Sequence, residues 1–287
     1  MTLQENTGRI VELTVARIAD FGYFLTDGQE DVLLHHHDND TKREFKEEER
    51  VEVFLYVDSS RRLAATTMKP HVTVGEYAWV TVVDVKEDTG VFLDIGINKD
   101  VLLGKDDLPV LESVWPQKGD MLYITLRVNR SFLIYARMAS DQVIQEISHP
   151  ATRSDFNKNV HGHIYRTARV GSWMITAEGF KGFIHESQRS TEPRVGEKVE
   201  GRIIDVKEDG TVNISLLPRK QEALDEDATK ILEYLDSRNG AMPYGDKSMA
   251  EDISMRFGMS KSSFKRALGR LMRDGRVYQE EGWTYKK

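Results

Sequence analysis

Hydrophobic and polar residues alternate along most of the first 220 positions of the chain, which is the pattern of half-buried β-strands. Tyr77–Val85, Met121–Val128 and Lys198–Val206 are clear examples, and glycine, aspartate and asparagine separate such segments. Three stretches each end with a strand, a short turn and a second strand; in the last of them the turn is residues 208–210. About five short strands in each stretch favour a five-stranded Greek-key barrel, the OB-fold.

A repeated segment divides this β-rich part into three units. The strings DVLLHHHD and DVLLGKDD and the variant KGFIHES begin at positions 31, 100 and 181. Each follows a glycine within a strand pattern, and these glycines, Gly22, Gly90 and Gly171, are 68 and 81 residues apart. Similar segments at a similar spacing indicate a repeated domain.

The hydrophobic period changes after Leu224 from two residues to that of an α-helix. Three helical segments follow, with Ser248 and Glu251 predicted as a capping box for the second and Ser260 as the N-cap of the third. A short break separates the second and third helices as in a helix-turn-helix, and a hairpin turn at residues 280–282 comes after them. Three helices followed by a β-hairpin predict a winged helix.

These patterns together predict a mostly β chain that ends in an α+β domain. The predicted divisions are barrels over residues 1–70, 71–147 and 159–220, a linker over residues 148–158 and a winged helix over residues 224–287. A short helix is predicted at Asp141–Ile147, immediately before the linker. Each barrel is small and can bury only a modest core.

The motifs of the barrels resemble those of a known RNA-binding domain. Phe-Gly-Tyr-Phe at residues 21–24, followed by Val-Leu-Leu-His at residues 32–35, is similar to the RNA-binding domain of ribosomal protein S1, and residues 182–187 (GFIHES) resemble its third-strand signature. Three such units followed by a winged helix resemble the CvfB/YitL family of bacterial regulators over nearly the whole chain. The resemblance implies three tandem S1-like OB barrels and a cytoplasmic RNA-binding protein with a role in post-transcriptional control.

The second copy departs most from this pattern. Thr89 stands where the first aromatic residue is expected, and Gly104 stands where the histidine is expected. In the third copy Val170 replaces the first aromatic residue, whereas Trp173 keeps the second. The second barrel is therefore predicted to be degenerate as an RNA-binding unit.

Composition excludes several kinds of chemistry. The 287 residues contain no cysteine, so disulfides, thiolate zinc sites and a cysteine nucleophile are absent. The sequence shows no Walker A loop, Rossmann glycine pattern or G-x-S-x-G elbow, which predicts a protein that is not an enzyme and has no cofactor. Adjacent residues in the run His35–Asp38 point to opposite faces of a strand, so no metal site is expected. No apolar run suggests a signal peptide or membrane span, and a cytoplasmic location is expected.

Charge is distributed unevenly along the chain. The net charge is −7, yet residues 1–70 and 71–150 each sum to −5, residues 151–220 sum to +3, and residues 221–287 are neutral. A polyanion should therefore prefer the C-terminal half.

Single-stranded RNA requires flat rings for stacking and cations for phosphates, and the second and third strands of OB barrels supply both. The candidate RNA-binding residues are Trp173, Phe183, His185, Arg166, Arg169 and Lys181 in the third barrel, Phe21, Phe24 and His35 in the first, and Arg266, Arg270 and Arg273 on the third helix of the winged helix. Because strand alternation would send Phe21 and Phe24 to opposite faces, a bulge at Gly22 is predicted. Burial of Trp173, or of one of these phenylalanines, in a barrel core is the alternative.

Two other functions remain open from the sequence. The winged helix is compatible with a DNA-binding transcription regulator, although Glu280 and Glu281 at the wing would repel a duplex backbone. The acidic first and second barrels are compatible with an adaptor that docks protein partners. The retained aromatic residues and the acidic wing favour single-stranded RNA as the partner.

Overall fold

The structure is a computed structural model that describes residues 2–287, with residues 220–223 described by their backbone alone. It divides into two compact units, one that ends at Leu216 and one that comprises Leu217–Lys287. Among the described residues, no helix combines the length and the apolar character needed to cross a membrane.

The first unit contains three closed five-stranded barrels. Barrel 1 consists of β1 (Ile10–Ala19), β2 (Gly22–Thr26), β3 (Asp31–His35), β4 (Arg50–Val57) and β5 (Leu63–Thr66). Barrel 2 consists of β6 (Ala78–Lys86), β7 (Gly90–Asp94), β8 (Val101–Gly104), β9 (Met121–Val128) and β10 (Ile134–Met138), and the helix α1 (Asp141–Ile147) follows it. Barrel 3 consists of β11 (Asn159–Ala168), β12 (Gly171–Thr176), β13 (Lys181–His185), β14 (Lys198–Val206) and β15 (Val212–Ser215). This confirms the predicted series of barrels.

The three barrels share one topology. Around each barrel the strands follow the order first, second, third, fifth, fourth, as in β1-β2-β3-β5-β4. The third and fifth strands pair in parallel and the other neighbours pair antiparallel. In barrel 3 every strand contributes a fully buried side chain to the core: Ile164, Met174, Ile184, Ile203 and Ile214. Alternation along each strand then turns the intervening residues outward.

The segment between β10 and β11 packs against barrel 3. The predicted helix at Asp141–Ile147 is confirmed as α1. After it, the His149 amide donates to the Gly179 carbonyl at 2.7 Å and the Ala151 amide donates to the Gly210 carbonyl at 2.9 Å. Ala151 is itself part of the barrel 3 core. Residues 148–158, predicted as a linker, therefore lie along the third barrel.

Consecutive barrels are joined by hydrogen bonds. Between barrels 1 and 2, the Val74 amide donates to the Gly8 carbonyl at 2.9 Å and the Asn98 side chain donates to the His37 carbonyl at 3.0 Å. Between barrels 2 and 3, Arg194 forms an ion pair with Asp120 at 3.2 Å.

The second unit is a winged helix. Its elements are α2 (Lys220–Ser237), β16 (Ala241–Met242), α3 (Ala250–Phe257), α4 (Lys261–Arg273), β17 (Val277–Glu280) and β18 (Trp283–Lys286), with the sheet order β16-β18-β17. The predicted cap at Ser260 is confirmed, since its hydroxyl accepts from the Ser263 amide at 3.1 Å. The predicted capping box at Ser248 is wrong. Met249 is the N-cap of α3, and the Ser248 hydroxyl instead accepts from the Gly245 amide at 2.9 Å, because it closes the preceding turn.

Candidate nucleic-acid interface

A row of side chains crosses the outer face of barrel 3 on three neighbouring strands. Arg166 of β11 pairs in register with Trp173 of β12, which pairs with Phe183 of β13. The guanidinium carbon of Arg166 lies 3.7 Å from the centroid of the Trp173 ring, and the Trp173 and Phe183 ring centroids are 4.9 Å apart. The His185 ring continues the row, 6.3 Å from Phe183. We refer to these four residues as the barrel 3 stacking face.

Trp173 belongs to this outer face and not to the core. Its neighbour Met174 is fully buried, as is Ile184 beside Phe183, whereas Trp173 and Phe183 themselves are only partly covered. Strand alternation requires this arrangement, because successive side chains of β12 and β13 point to opposite faces. Both rings therefore keep part of their surface open to a flat ligand.

A bulge in the first strand of the barrel explains why Arg166 reaches this face. Ile164 points into the core, so regular alternation would also turn residue 166 inward. The pairing of β11 with β12 shifts register between Ile164 and Arg166, which turns the arginine outward beside Trp173.

Barrel 1 carries the same arrangement. The guanidinium carbon of Arg17 lies 3.6 Å from the ring centroid of Phe24, and the register of β1 shifts between Val15 and Arg17. The Phe21 ring lies 6.1 Å from Phe24 and is stacked on His35 at 6.4 Å, with 29° between the planes. Phe21, Phe24 and His35 are thus brought together, as the sequence predicted, and Phe21 is exposed.

The predicted bulge at Gly22 is wrong. Strand β2 pairs with β3 in an unbroken register from Gly22 opposite His35 to the far end of both strands. Phe21 reaches the outer face because it precedes β2 in the turn, and the bulge lies in β1 instead. Glycine is needed at position 22 for a different reason: a Cβ there would lie 2.3 Å from the Leu34 carbonyl oxygen.

Barrel 2 lacks two parts of this arrangement. The register shift of β6 falls between Val82 and Asp84, so an aspartate stands opposite Phe92 where the other barrels have arginine. Gly104 stands opposite Gly90, where the other barrels place a histidine. The Lys86 ammonium does lie 5.0 Å from the Phe92 centroid, but it also pairs with Asp84 at 3.9 Å. The Asp84 carboxylate itself repels phosphate.

The two histidines of these faces have a shared structural role. The Nδ1 atoms of His35 and His185 accept from the amides of His37 and Ser187, at 3.3 and 3.2 Å, and so begin the short 3-10 helix after the third strand. Burial, followed by the charge of His37, lowers the pKa of His35 below its ordinary value. The lowered pKa favours the neutral ring, which is the form whose Nδ1 can accept from the His37 amide.

Several predicted cations are already paired inside the protein. The Lys181 ammonium donates to Asp141 at 2.7 Å and to Gln145 at 3.1 Å, both on α1, so its charge is partly neutralised within the protein, and its role in RNA binding stays a prediction. Arg270 forms ion pairs with Asp225 and Asp274, and its predicted contact with RNA likewise stays a prediction. In both cases the partner is a carboxylate that belongs to a helix or caps its end.

The remaining predicted cations are more open. Arg166 is exposed above the Trp173 ring, and Arg169 is exposed in the turn between β11 and β12. On α4, Arg266 and Arg273 are exposed, and Arg266 donates to the Ser263 hydroxyl at 3.1 Å.

Sequence reasoning missed Arg17 and the significance of Asp84. A signal for both was present. Arg17 and Arg166 each stand five residues before the glycine that begins the second strand of their barrel, and each stands two residues after a core residue. In the second copy, Asp84 likewise stands two residues after the core residue Val82. The spacing differs by one residue in that copy, which hides the correspondence.

The fold defines a class of proteins that join S1-like barrels to a winged helix, and family models place this chain more closely. The matches are an S1 domain at residues 7–68, the CvfB first S1-like domain at residues 77–137, the second domain of virulence regulatory factor CvfB at residues 144–218 and a CvfB-like winged helix domain at residues 229–285. The chain belongs to the CvfB family, which confirms the resemblance seen in the sequence.

Relatives match over nearly the whole length. The uncharacterized protein YitL of Bacillus subtilis is 50% identical over 98% of this chain and 93% of its own. Conserved virulence factor B of Staphylococcus epidermidis is 37% identical over 96% of this chain and 93% of its own. A crystal structure from Streptococcus pneumoniae, described as a multidomain protein with nucleic acid binding domains, is 34% identical, covers 99% of both chains and superposes with a TM-score of 0.68.

Proposed function

We propose that this protein binds single-stranded RNA through the barrel 3 stacking face, with barrel 1 as a second contact, and acts in post-transcriptional regulation without catalysing a reaction. The observation that carries the proposal is the continuous row of Arg166, Trp173, Phe183 and His185 on one outer face. The nucleic acid binding domains ascribed to the pneumococcal relative support it.

The geometry favours an unpaired strand over a duplex. The faces of bases are accessible to aromatic side chains only when the bases are unpaired and unstacked from their neighbours. The rings of Trp173 and Phe183 lie side by side across two strands, so they offer places for successive bases. The wing, by contrast, carries Glu280 and Glu281, both exposed, where a duplex-binding wing requires cations.

The cations of this face complement the rings. The Arg166 guanidinium lies over the indole of Trp173, where its N–H groups can also reach phosphate oxygens. Arg169 is exposed in the adjacent turn, and the segment of residues 151–220 has a net charge of +3. Stacking contributes about 1–3 kcal/mol per base, and the cations add the salt-dependent part of the affinity.

Barrel 2 is expected to contribute little through its equivalent face, because Asp84 and Gly104 replace the arginine and the histidine. Docking of protein partners by the acidic barrels 1 and 2 stays a prediction.

A competition titration tests the proposed function. Labelled single-stranded RNA bound to the full protein is displaced by unlabelled single-stranded RNA, single-stranded DNA or duplex DNA of equal length, at several salt concentrations. We expect single-stranded RNA to compete best. For each phosphate contact, the logarithm of its binding constant should fall by about 0.7 for every tenfold increase in salt concentration. Stronger competition by the duplex would instead favour a winged-helix DNA-binding regulator.

A further inference from the structure

A second set of aromatic rings lies on the outside of barrel 2, next to barrel 3. The Tyr77 and Tyr123 rings are stacked at 5.8 Å with 29° between their planes, Trp79 lies 5.2 Å from Tyr123, and His163 of barrel 3 lies 5.2 Å from Trp79. All four side chains are half-buried and point away from the barrel cores. We refer to these four residues as the junction ladder.

The strands beside the junction ladder carry all the arginines of an otherwise acidic barrel. The arginines of residues 71–150 are Arg127, Arg130 and Arg137, and all three lie on β9, β10 or the turn between them. Residues 121–138 contain no aspartate or glutamate, although residues 71–150 have a net charge of −5. The three guanidinium groups are exposed. This segregation produces a basic strip along one side of barrel 2.

Two grooves flank the ladder. One, of about 460 Å³, is lined by Tyr77, Arg127 and Tyr135, together with Thr125. Thr125 is 5% exposed, and among the described residues its hydroxyl oxygen has no hydrogen-bond partner. A buried hydroxyl without a partner is unusual, so the groove offers a polar contact that the protein itself leaves unmade.

The other groove, of about 310 Å³, lies on the barrel 3 side. Trp79, His161, His163 and Lys198 contribute to its lining. Lys198 is exposed in this lining and supplies a positive charge. Glu200 pairs in register with His161 but is not part of the lining. Both grooves thus combine rings with cations.

The junction ladder and the barrel 3 stacking face share the strand β11. His163 and Arg166 are three residues apart on this strand, which is about 10 Å at the usual rise of a strand. One extended ligand can therefore contact both surfaces.

We infer that the junction ladder is a second binding surface for the same single-stranded nucleic acid. Bases stack on Tyr77, Tyr123 and Trp79, and phosphates contact Arg127, Arg137 and Lys198. The inference rests on the proposed function, since the strand that reaches the junction is the one held by the barrel 3 stacking face. It assigns to barrel 2 a role in binding that does not depend on its degenerate S1-like face.

The test compares a short and a long RNA. Oligomers of about six and about 24 nucleotides are titrated into the full protein, into Arg127→Glu/Arg137→Glu and into Trp173→Ala, since one OB barrel covers about 4–16 nucleotides. Lys105→Glu/Lys118→Glu is the matched control, because both lysines are exposed in the connection between β8 and β9 and neither lines either groove. Tyr77→Leu removes one stacking ring while it keeps an apolar side chain.

The arginine variant should bind the short RNA normally and the long RNA about tenfold more weakly, with a salt slope lower by about 1.4 for two lost phosphate contacts. Tyr77→Leu should weaken the long RNA alone by about fivefold or more. The lysine control should bind both oligomers like the wild type. Unchanged binding of the long RNA by the arginine variant would overturn the inference.

The result for Trp173→Ala separates this inference from the proposed function. Trp173→Ala should weaken both oligomers. If it binds both normally, the proposed function fails, and a loss of long-RNA binding in the arginine variant would still assign binding to the junction.

Discussion

Replacing Trp173 with alanine should lower the affinity for single-stranded RNA by about 1–3 kcal/mol and leave the unfolding transition nearly unchanged. The indole is held between the Arg166 guanidinium and the Phe183 ring on the outer face, so its removal eliminates a stacking surface without opening a cavity in the core. Calorimetric or fluorescence titration gives the affinity, and a thermal melt of the same protein gives the stability.

The matched control is Phe92→Ala. Phe92 occupies the equivalent place in barrel 2, opposite Asp84 and not opposite an arginine. The Phe92→Ala variant should change RNA affinity little, because Asp84 replaces the arginine, the Lys86 ammonium that lies 5.0 Å from the Phe92 centroid is also 3.9 Å from the Asp84 carboxylate, and the histidine is replaced by glycine. If Trp173→Ala instead destabilised the protein by about 3–5 kcal/mol without a separate binding defect, the tryptophan would be acting as a core residue. Equal losses of binding in the two variants would contradict the distinction between the barrels.

Gly90→Ala should destabilise barrel 2 by about 1–3 kcal/mol, whereas Gly104→Ala should stay within about 0.5 kcal/mol. The two glycines are paired across β7 and β8, so the variants differ little in location. A Cβ on Gly90 would lie 2.2 Å from the Leu103 carbonyl oxygen and 2.9 Å from the Lys105 amide, both backbone atoms that cannot rotate away. A Cβ on Gly104 meets no atom within 4 Å among the described residues.

Urea unfolding of the full protein, followed by tryptophan fluorescence, measures this difference. Trp79 and Trp115 both lie in barrel 2 or its connections and report on its unfolding. Equal midpoints for Gly90→Ala and Gly104→Ala would show that the close approach of the backbone at Gly90 does not determine stability.

The architecture could be predicted from the sequence because it depends on local, repeated signals. Period-two segments, turn residues and the three copies of one motif were enough to indicate the barrels, and helical spacing with the Ser260 cap indicated the winged helix. The convergence of Phe21, Phe24 and His35 was also expected from the S1-like motif, although Phe21 reaches the outer face from the turn before β2 and not through the predicted bulge at Gly22.

The electrostatic details of the site could be predicted only in part. The ion pair of Arg270 with Asp274 follows the i,i+4 spacing of a helix and could be read from the sequence, but the pairs of Lys181 and Arg270 with distant residues could not. Their partners, Asp141 and Asp225, are 40 and 45 residues away in sequence and come close only in the folded chain. The bulges that turn Arg17 and Arg166 outward likewise depend on pairing with a second strand, which a single-strand pattern does not reveal.

Photocrosslinking of the full protein to a single-stranded RNA that contains 4-thiouridine tests the central claim most directly. Mass spectrometry of the digested complex identifies the peptides that contact the bases. Peptides of β12 and β13, which carry Trp173 and Phe183, should be cross-linked most strongly, with peptides of β2 in barrel 1 next. Cross-links confined to the winged helix would contradict this expectation.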